Sequence, residues 1–244
     1  MVMKLINLNL WGGRLDSQID QFLAKEIPDI LCLQEVIDRR EVGTELFLSL
    51  KDVERILRAG NIWFSPVFNF QLGSEKVDFG NAILSKSKFI HSHTFFTHKK
   101  YRPNFNWKSK IANIRNLQHV TIKQKEGDKL HILNYHGYHV AEHKNGNDIT
   151  LKHCQTIAEY ISKLQGEVIL SGDFNLVPQS QSIKVLNKIL TNLPATFHLT
   201  TTRTVLTHKK DVCDYIFVSK GIKVKSFRAS EEIVSDHKAL ILEF

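Results

Sequence analysis

The sequence has few cysteines and no long apolar run. Its 244 residues include three cysteines, Cys32, Cys154 and Cys213, with no C-x-x-C spacing, which excludes a disulfide scaffold and a thiolate zinc site. No apolar run reaches the roughly 18 residues of a membrane-spanning helix, so we expect no stable membrane insertion. The N-terminal MVMKLINLNL alternates apolar and polar residues and predicts a strand, not a secretory signal. This favours a cytoplasmic protein, or a chain whose signal has been removed.

Several motifs and organisational features are also missing. There is no G-x-x-x-x-G-K-[ST] loop and no G-x-S-x-G elbow, which disfavours P-loop nucleotide hydrolysis and serine-hydrolase chemistry. Internal repeats and low-complexity linkers are absent too. The composition is that of an ordinary globular protein, with 42% hydrophobic and 24% charged residues. We therefore predict one domain over residues 1–244, monomeric by default.

Acidic residues are absent from one long stretch, Phe79 to Lys125, which carries ten Lys and Arg residues. The rest of the chain has 23 basic and 25 acidic residues, so the net charge of +8 arises entirely in this stretch. Its middle, HKKYRPNFNWKSK from His98 to Lys110, interleaves cations with aromatic residues. Such a segment can hold phosphates while its aromatics stack on bases. A solvated loop with its aromatics tucked into the core explains it equally well.

Hydrophobic periodicity predicts a mixture of strands and helices. The predicted strands are Leu5–Leu10, Ile30–Gln34, Gly80–Ser85, Asn116–Ile122, Leu130–Tyr135, Val168–Ser171, Tyr215–Val218 and Ala239–Phe244. The predicted helices are Ser17–Glu26, Glu41–Arg58, Ile149–Leu164 and Gln181–Leu190. The first half and the last third alternate the two types, whereas the middle is mostly strand. This pattern predicts packed sheets with helices outside, not a regular parallel βαβ array.

Polar residues recur next to the ends of the predicted strands, where a rigid scaffold can direct them into a shared cleft. They are Asn9, Gln34, Glu35, His136, Asp173, Asn175, Asp214, Asp236 and His237. Each has an ordinary structural explanation by itself, such as a turn or a helix cap. Together they are rich in carboxylate and carboxamide oxygen, which suits a hard cation such as Mg²⁺ or Mn²⁺. A His–Asp pair could transfer a proton beside such an ion.

Five motifs in this order resemble those of the endonuclease/exonuclease/phosphatase superfamily, which includes the DNase I-like nucleases. They are LQEV at 33–36, FGNAILS at 79–85, SGDFN at 171–175, DYIF at 214–217 and SDH at 235–237. The resemblance spans residues 5–244. It implies an α/β fold with two packed mixed β-sheets flanked by helices, a four-layer α/β sandwich. It also implies metal-assisted cleavage of a phosphate ester by in-line attack of water.

The resemblance also implies a role for each matching residue. Glu35 would be the main metal ligand, helped by Asn9, and Asp236 would lie near the metal or a second cation. Asp173 and Asn175 would position the attacking water and the scissile phosphate. The remaining roles fall to three residues: His237, oriented by Asp214, would act as general base or stabilise the transition state, and His136 would contact the phosphate.

The motifs differ from those of two branches of the superfamily, and the differences narrow the range of expected substrates. Val36-Ile37 and Ser171 disfavour an abasic-site endonuclease, and Val212-Cys213-Asp214-Tyr215 disfavours an inositol polyphosphate phosphatase. We therefore predict a divalent-metal-dependent phosphodiesterase, a nuclease with nucleic acid as substrate. The expected substrate-binding residues are Arg39, Lys99, Lys100, Arg102, Trp107, Lys108 and Lys110. The rival hypotheses are a hydrolase of small or lipid phosphoesters and a non-catalytic nucleic-acid-binding module.

Overall fold

The computed structural model describes residues 2–38, 49–58, 60–106, 113–124 and 127–244, and contains two six-stranded sheets. The strands of the first sheet are β1 (Lys4–Asn9), β2 (Ile30–Asp38), β3 (Asn61–Leu72), β4 (Glu75–Ser85), β11 (Ser226–Ala229) and β12 (Leu240–Glu243). Those of the second are β5 (Phe89–His98), β6 (Arg115–Lys123), β7 (Lys129–His136), β8 (Glu167–Asp173), β9 (Thr191–Asn192) and β10 (Asp214–Val218). The helices are α1 (Asp16–Glu26), α2 (Leu50–Leu57), α3 (Asp148–Ile161), α4 (Gln181–Asn187) and the short α5 (Leu193–Thr196).

Both sheets are mixed. The first has the order β11-β12-β1-β2-β4-β3 and the second β5-β6-β7-β8-β10-β9. The neighbours β1 and β2 are parallel, as are β7 and β8, and the other pairs are antiparallel. The carboxyl ends of β1 and β2 therefore share one edge of their sheet, and those of β7 and β8 share one edge of theirs.

Three apolar layers hold these elements together. Between the sheets, β1 Leu5 and β2 Ile30 pack with Ile132 and Ile169 of the second sheet. Because side chains alternate along a strand, the neighbouring Ile6 and Leu8 of β1 face outward, where α1 and α2 cover them. Helices α3 and α4 cover the outer face of the second sheet in the same way. The order helix, sheet, sheet, helix confirms the predicted four-layer sandwich.

A ladder of buried amides also joins the sheets. Gln34 donates to Asn134 across the interface at 2.7 Å and to Asn7 at 2.9 Å. Asn134 in turn donates to Gln118 at 2.9 Å. Buried hydrogen bonds of this kind fix the register of the elements that they join. Gln34 of the LQEV motif therefore aligns the two sheets beside the edge at which Glu35 lies.

The element bounds differ from prediction in several places. Within the described residues the predicted helix Glu41–Arg58 begins at Leu50, after a capping box between Ser49 and Asp52; residues 41–48 lie outside those residues. The predicted Gln181–Leu190 ends at Asn187, and the chain then forms β9 against β10. The long strands β3 and β5 were not predicted. None of the described helices is long and apolar enough to cross a membrane.

Candidate active site

The polar residues at the strand ends meet in one cleft. On β7, His136 lies level with Asp173 of β8, which lies level with Asp214 of β10. Because β10 runs antiparallel to β8, its first residue lies where β8 ends. The cleft has a volume of about 420 Å³. Its lining residues are Trp11, Glu35, Phe68, Phe79, Phe105, Arg115, His136, His139, Asp173, Asn175, Arg203, Lys209, Asp236 and His237.

Glu35 enters the cleft through a break in β2. The pairing of β2 with β4 shifts register between Leu33 and Val36, and Glu35 has a φ of 56°. A bulge of this kind redirects the side chain of the extra residue. Burial raises the pKa of Glu35, and the negative charges of Asp173 and Asp236 add to that rise. The Glu35 carboxyl, which is 29% exposed, is thus held at the cleft.

The loop before β12 brings His237 onto Asp214. The Nδ1 atom of His237 lies 2.8 Å from Asp214 Oδ1, and Thr202 Oγ1 donates to Asp214 Oδ2 at 2.6 Å. An ionised carboxylate can only accept, so Nδ1 is the donor. The Nε2 atom therefore faces the cleft, 3.7 Å from Asp173 Oδ2, and Arg203 Nη1 also contacts it. This arrangement orients the imidazole for proton transfer at Nε2.

Asp173 and Asn175 form a second rigid unit. The Asp173 side chain accepts from the Asn175 backbone N–H at 2.9 Å, in an Asx-turn. Asn175 has a φ of 57°, a left-handed conformation that asparagine tolerates. Lys144 donates to Asn175 Oδ1 at 2.7 Å. The carboxamide is held with its Nδ2 amide 3.5 Å from Asp173 Oδ2, so both side chains present polar atoms to the cleft.

Gly172 permits the close approach of β8 to β7 just before Asp173. Its φ is 151°, and a Cβ atom there would lie 1.8 Å from the carbonyl oxygen of Tyr135. Any other residue would therefore push the strands apart. The glycine of the SGDFN motif thus sets the position of Asp173 beside His136, whose Nε2 lies 3.8 Å from Asp173 Oδ2.

The charges of the cleft move the pKa values of its titratable groups in opposite directions. Burial lowers the pKa of His237, but the carboxylates of Asp214 and Asp173 outweigh burial and raise it. Burial raises the pKa of Asp173, yet His237 and Arg203 outweigh burial and lower it. The pKa of His136 falls well below its usual value because of burial and the positive charge of Arg115. One wall therefore holds an anionic Asp173 beside a readily protonated His237, with a neutral His136 nearby.

The donor set fits a hard divalent cation. Glu35, Asp173 and Asp236 bring three carboxylates to the cleft, and oxygen donors of this kind suit Mg²⁺ or Mn²⁺. Asn9 donates its Nδ2 to Glu35 Oε1 and to Asp173 Oδ2, both at 3.2 Å, while its Oδ1 accepts from the Trp11 N–H. In this orientation Asn9 bridges two carboxylates through its Nδ2 group. Coordination of a cation by Asn9 Oδ1 would require the side-chain amide to rotate by about half a turn.

A tighter group suits a metal less well. Asp173, Asp214 and His237 offer ligand atoms within 4.8 Å of one another. However, both oxygens of Asp214 already accept hydrogen bonds, from His237 and Thr202. A cation there would have to displace those bonds. The carboxylates of Glu35 and Asp236 are freer to bind one. Asp236 lies 3.9 Å from His237, and among the described residues it accepts a hydrogen bond only from Ser235, at 3.4 Å.

The predicted substrate-binding segment lies only partly within the described residues. Lys99, Lys100 and Arg102 are exposed and do not line the cleft. Arg102 is nevertheless 5.5 Å above the ring of Phe105, which does line it. The segment is thus attached to the rim of the cleft. Four other predicted residues lie outside the described part of the chain: Arg39, Trp107, Lys108 and Lys110.

Sequence reasoning missed several residues of the cleft. Arg203 contacts His237, Lys144 holds Asn175, and Arg115 and Lys209 line the opposite wall. Arg203 lies in a T-T-R-T run between motifs, and Lys144 in the polar stretch after NYH. Neither segment contains a motif that would mark its basic residue as part of a site. Arg115 gave a weak signal, since it directly precedes the predicted strand Asn116–Ile122 inside the acid-free stretch.

Comparison with known proteins agrees with this fold. The family model described as "Endonuclease/Exonuclease/phosphatase family" matches residues 6–237. A solved family protein from Leptotrichia buccalis superimposes with a TM-score of 0.70 at 19% identity, over 98% of each chain. No curated protein matches.

Two named proteins have similar structures. A mannosyl-6-phosphatase of Bacteroides thetaiotaomicron has a TM-score of 0.68 at 19% identity, over 98% of each chain. The catalytic domain of human Nocturnin, with a bound sulfate, has a TM-score of 0.71 at 18% identity, over 99% of this chain and 92% of that one. At such identities the likeness establishes the fold alone, while the family model covers nearly all of the sequence. The chain belongs to the endonuclease/exonuclease/phosphatase family, whose members hydrolyse phosphate esters.

Proposed function

We propose that this protein hydrolyses phosphodiester bonds of nucleic acids with the help of Mg²⁺ or Mn²⁺. The observation that carries the proposal is the Asp214–His237 pair, joined at 2.8 Å and facing the carboxylates of Asp173 and Asp236 in one cleft. A cation beside the carboxylates and an imidazole beside the expected phosphate are what metal-assisted phosphoester hydrolysis requires.

Each side chain takes a separate task in this proposal. Glu35 and Asp236 hold the cation, which supplies Lewis-acid polarisation of the phosphoryl oxygens when bound. Asp173 accepts a hydrogen bond from the attacking water, and Asn175 Nδ2 donates to the scissile phosphate. Lys144 keeps the carboxamide of Asn175 in that orientation.

The proton moves through His237. With Nδ1–H donated to Asp214, Nε2 takes a proton from the water once Arg203 Nη1, which contacts Nε2, turns to a phosphoryl oxygen. The resulting imidazolium is stabilised by two carboxylates. The neutral His136 and the guanidinium of Arg203 lie next to the same space and donate to phosphoryl oxygens as charge develops. No covalent enzyme intermediate is needed.

The preference for a polymer comes from the rim. Lys99, Lys100 and Arg102 are exposed, and Arg102 lies over the ring of Phe105. Exposed cations with an aromatic ring among them suit a nucleic-acid backbone with stacked bases. A second candidate, a small phosphoester, is favoured by the cleft itself. Phe68 stacks on Phe79 at 4.9 Å and approaches Phe105 at 4.7 Å, and this aromatic wall encloses a volume suited to a small ligand.

A substrate panel tests the proposal. The protein is incubated with Mg²⁺ or Mn²⁺ and with double-stranded DNA, single-stranded DNA, RNA, sugar phosphates and sphingomyelin. We expect cleavage of a nucleic acid at the highest kcat/KM. Exclusive turnover of a small or lipid ester would replace the nuclease assignment, and retardation of DNA without any cleavage would indicate a binding module.

A further inference from the structure

The cleft holds two buried arginines in opposite electrostatic settings. Arg203 and Arg115 are 5% and 7% exposed, and each has a buried Nε atom without a hydrogen-bond partner among the described residues. Three aspartates, Asp173, Asp214 and Asp236, overcome the effect of burial and raise the pKa of Arg203. Burial dominates at Arg115 and lowers its pKa. The carboxylates around Arg203 thus outweigh its burial, whereas Glu35 and Asp173 oppose the effect of burial on Arg115 without overcoming it.

Three cations, Arg115, Lys144 and Lys209, act on the same histidine, His139. Burial lowers the pKa of His139 to about 4, and the positive charges of Lys144, Lys209 and Arg115 add to that effect. Within the described residues, no Asp or Glu forms an ion pair with Arg115, Lys144 or Lys209. The Nδ1 atom of His139 is buried and unpartnered there as well. The guanidinium of Arg115 is buried without an ion pair, and a bound anion would offset part of the cost of burying its charge.

The position of Arg115 is fixed beside the catalytic edge. Its guanidinium donates to Asn113 Oδ1 at 3.2 Å, and that same atom accepts from the His139 N–H at 2.9 Å. In the pairing of β6 with β7, Leu117 lies level with Tyr135, which places Arg115 beside the end of β7. Asp173 ends the next strand along, so two strand spacings, about 10 Å, separate the backbones. Arg115 therefore borders the same cleft from the β6 side, with its backbone two strands away from Asp173.

We propose that Arg115, Lys144, Lys209 and His139 form a second anion site, which binds a further phosphate of the substrate at the β6–β7 side of the cleft. The proposal rests on the proposed function, because it concerns the same substrate. A guanidinium and two ammonium groups supply the charge-assisted donors that a phosphate accepts. The substrate class is then an organic phosphate that carries a second phosphate near the scissile one. A nucleotide chain and a small bisphosphate both have this chemistry.

Binding of inorganic phosphate tests the site without catalysis. Calorimetric titration is carried out in EDTA, where the carboxylates of the opposite wall repel the anion. We expect Arg115→Gln and Lys209→Gln to weaken phosphate binding about tenfold or more. Lys188→Gln removes an exposed cation away from the cleft and should bind as the wild type does. Lys209 is exposed, so its replacement tests the site even if Arg115→Gln fails to fold. Unchanged phosphate binding in Lys209→Gln and in a folded Arg115→Gln would overturn the proposal, as would absence of binding by the wild type.

Paired substrates test its use in turnover and identify the source of the phosphate. One pair is a dinucleotide with and without a 5′-phosphate, and the other is a hexose bisphosphate and the matching monophosphate. We expect the wild type to prefer the member with the second phosphate in one pair, and Lys209→Gln to reduce that kcat/KM ratio. Equal kcat/KM within both pairs would contradict the second anion site without contradicting the proposed function. Hydrolysis of none of the substrates in Mg²⁺ or Mn²⁺ would sink the proposed function, and the phosphate titration would still decide the second site.

Discussion

The two walls of the cleft differ in how their charges are balanced. On the wall formed by β8, β10 and the loop before β12, carboxylates alternate with His237 and Arg203. On the wall formed by the start of β6 and the segment after β7, cations gather around His139 without an ion-paired Asp or Glu among the described residues. In our proposals the first wall supplies the groups for proton transfer and cation binding, and the second binds an anion. Catalysis and anion recognition then belong to different parts of one cleft.

Among changes to the first wall, formed by β8, β10 and the loop before β12, removal of the His237 imidazole should reduce activity most. We expect His237→Ala to lower kcat by about 10² to 10⁴, since a positioned acid–base group contributes that much. Steady-state hydrolysis of bis(p-nitrophenyl) phosphate measures the loss. His198→Ala, an exposed histidine outside the cleft, is the matched control. A loss below threefold would remove His237 from the mechanism.

The partner of His237 should act with it as a unit. Asp214→Asn should lower kcat within the same range, about 10² to 10⁴, because the hydrogen bond at Nδ1 no longer selects the imidazole orientation. The double variant Asp214→Asn/His237→Ala should then be little worse than His237→Ala alone. Losses that multiply would show that the two residues work independently.

The pH profile should separate the electrostatic role of Asp214 from its orienting role. The carboxylate of Asp214 favours the imidazolium and raises the pKa of His237, and a general base must be unprotonated. The rate should therefore rise as pH increases through that raised pKa. In Asp214→Asn the anion is absent, the pKa falls, and the rising limb of kcat/KM should move to lower pH. A limb that stays in place would mean that another group titrates.

Most residues of the first wall could be predicted from sequence, because they lie in short motifs next to strand ends. Asp173, Asn175, Asp214, Asp236 and His237 meet in the structure as those motifs indicated. The family assignment and the sandwich fold were also predicted. Strand β5 was not, since FIHSHTFFTH mixes histidines with aromatics on an edge strand of intermediate burial and has weak alternation.

The second wall, which contains Arg115 and His139, could not be predicted from sequence motifs. Arg115 and Lys209 are 94 positions apart. They reach one cleft because β6, β7, β8 and β10 are neighbours in the second sheet and Lys209 lies in the segment before β10. The rim residues Lys99, Lys100 and Arg102 could be recognised as a basic segment but not as a binding site. The sequence does not show whether an exposed cation such as Lys100 faces the cleft or the solvent. The long-range pairing of strands decides such cases.

The smallest effect is expected at the rim. Replacing Lys99, Lys100 and Arg102 with Ser should reduce the salt slope of oligonucleotide binding by roughly 0.7 to 0.9 for each phosphate that the rim no longer neutralises. Three exposed lysines elsewhere, Lys163, Lys188 and Lys220, serve as a control with the same change in charge. Fluorescence anisotropy across a salt series gives both slopes. Equal slopes for the two triple variants would make the rim an ordinary solvated surface.

The dependence of turnover on a divalent cation held by Glu35 is the most direct test. Initial rates of bis(p-nitrophenyl) phosphate hydrolysis are measured while Mn²⁺ is titrated into EDTA-treated wild type, Glu35→Gln and the exposed control Glu231→Gln. The wild type and Glu231→Gln should be silent in EDTA and saturate with Mn²⁺, whereas Glu35→Gln should need far more metal and reach a rate lower by about 10² or more. Full activity in EDTA, or the same Mn²⁺ curve for Glu35→Gln as for the wild type, would contradict the mechanism.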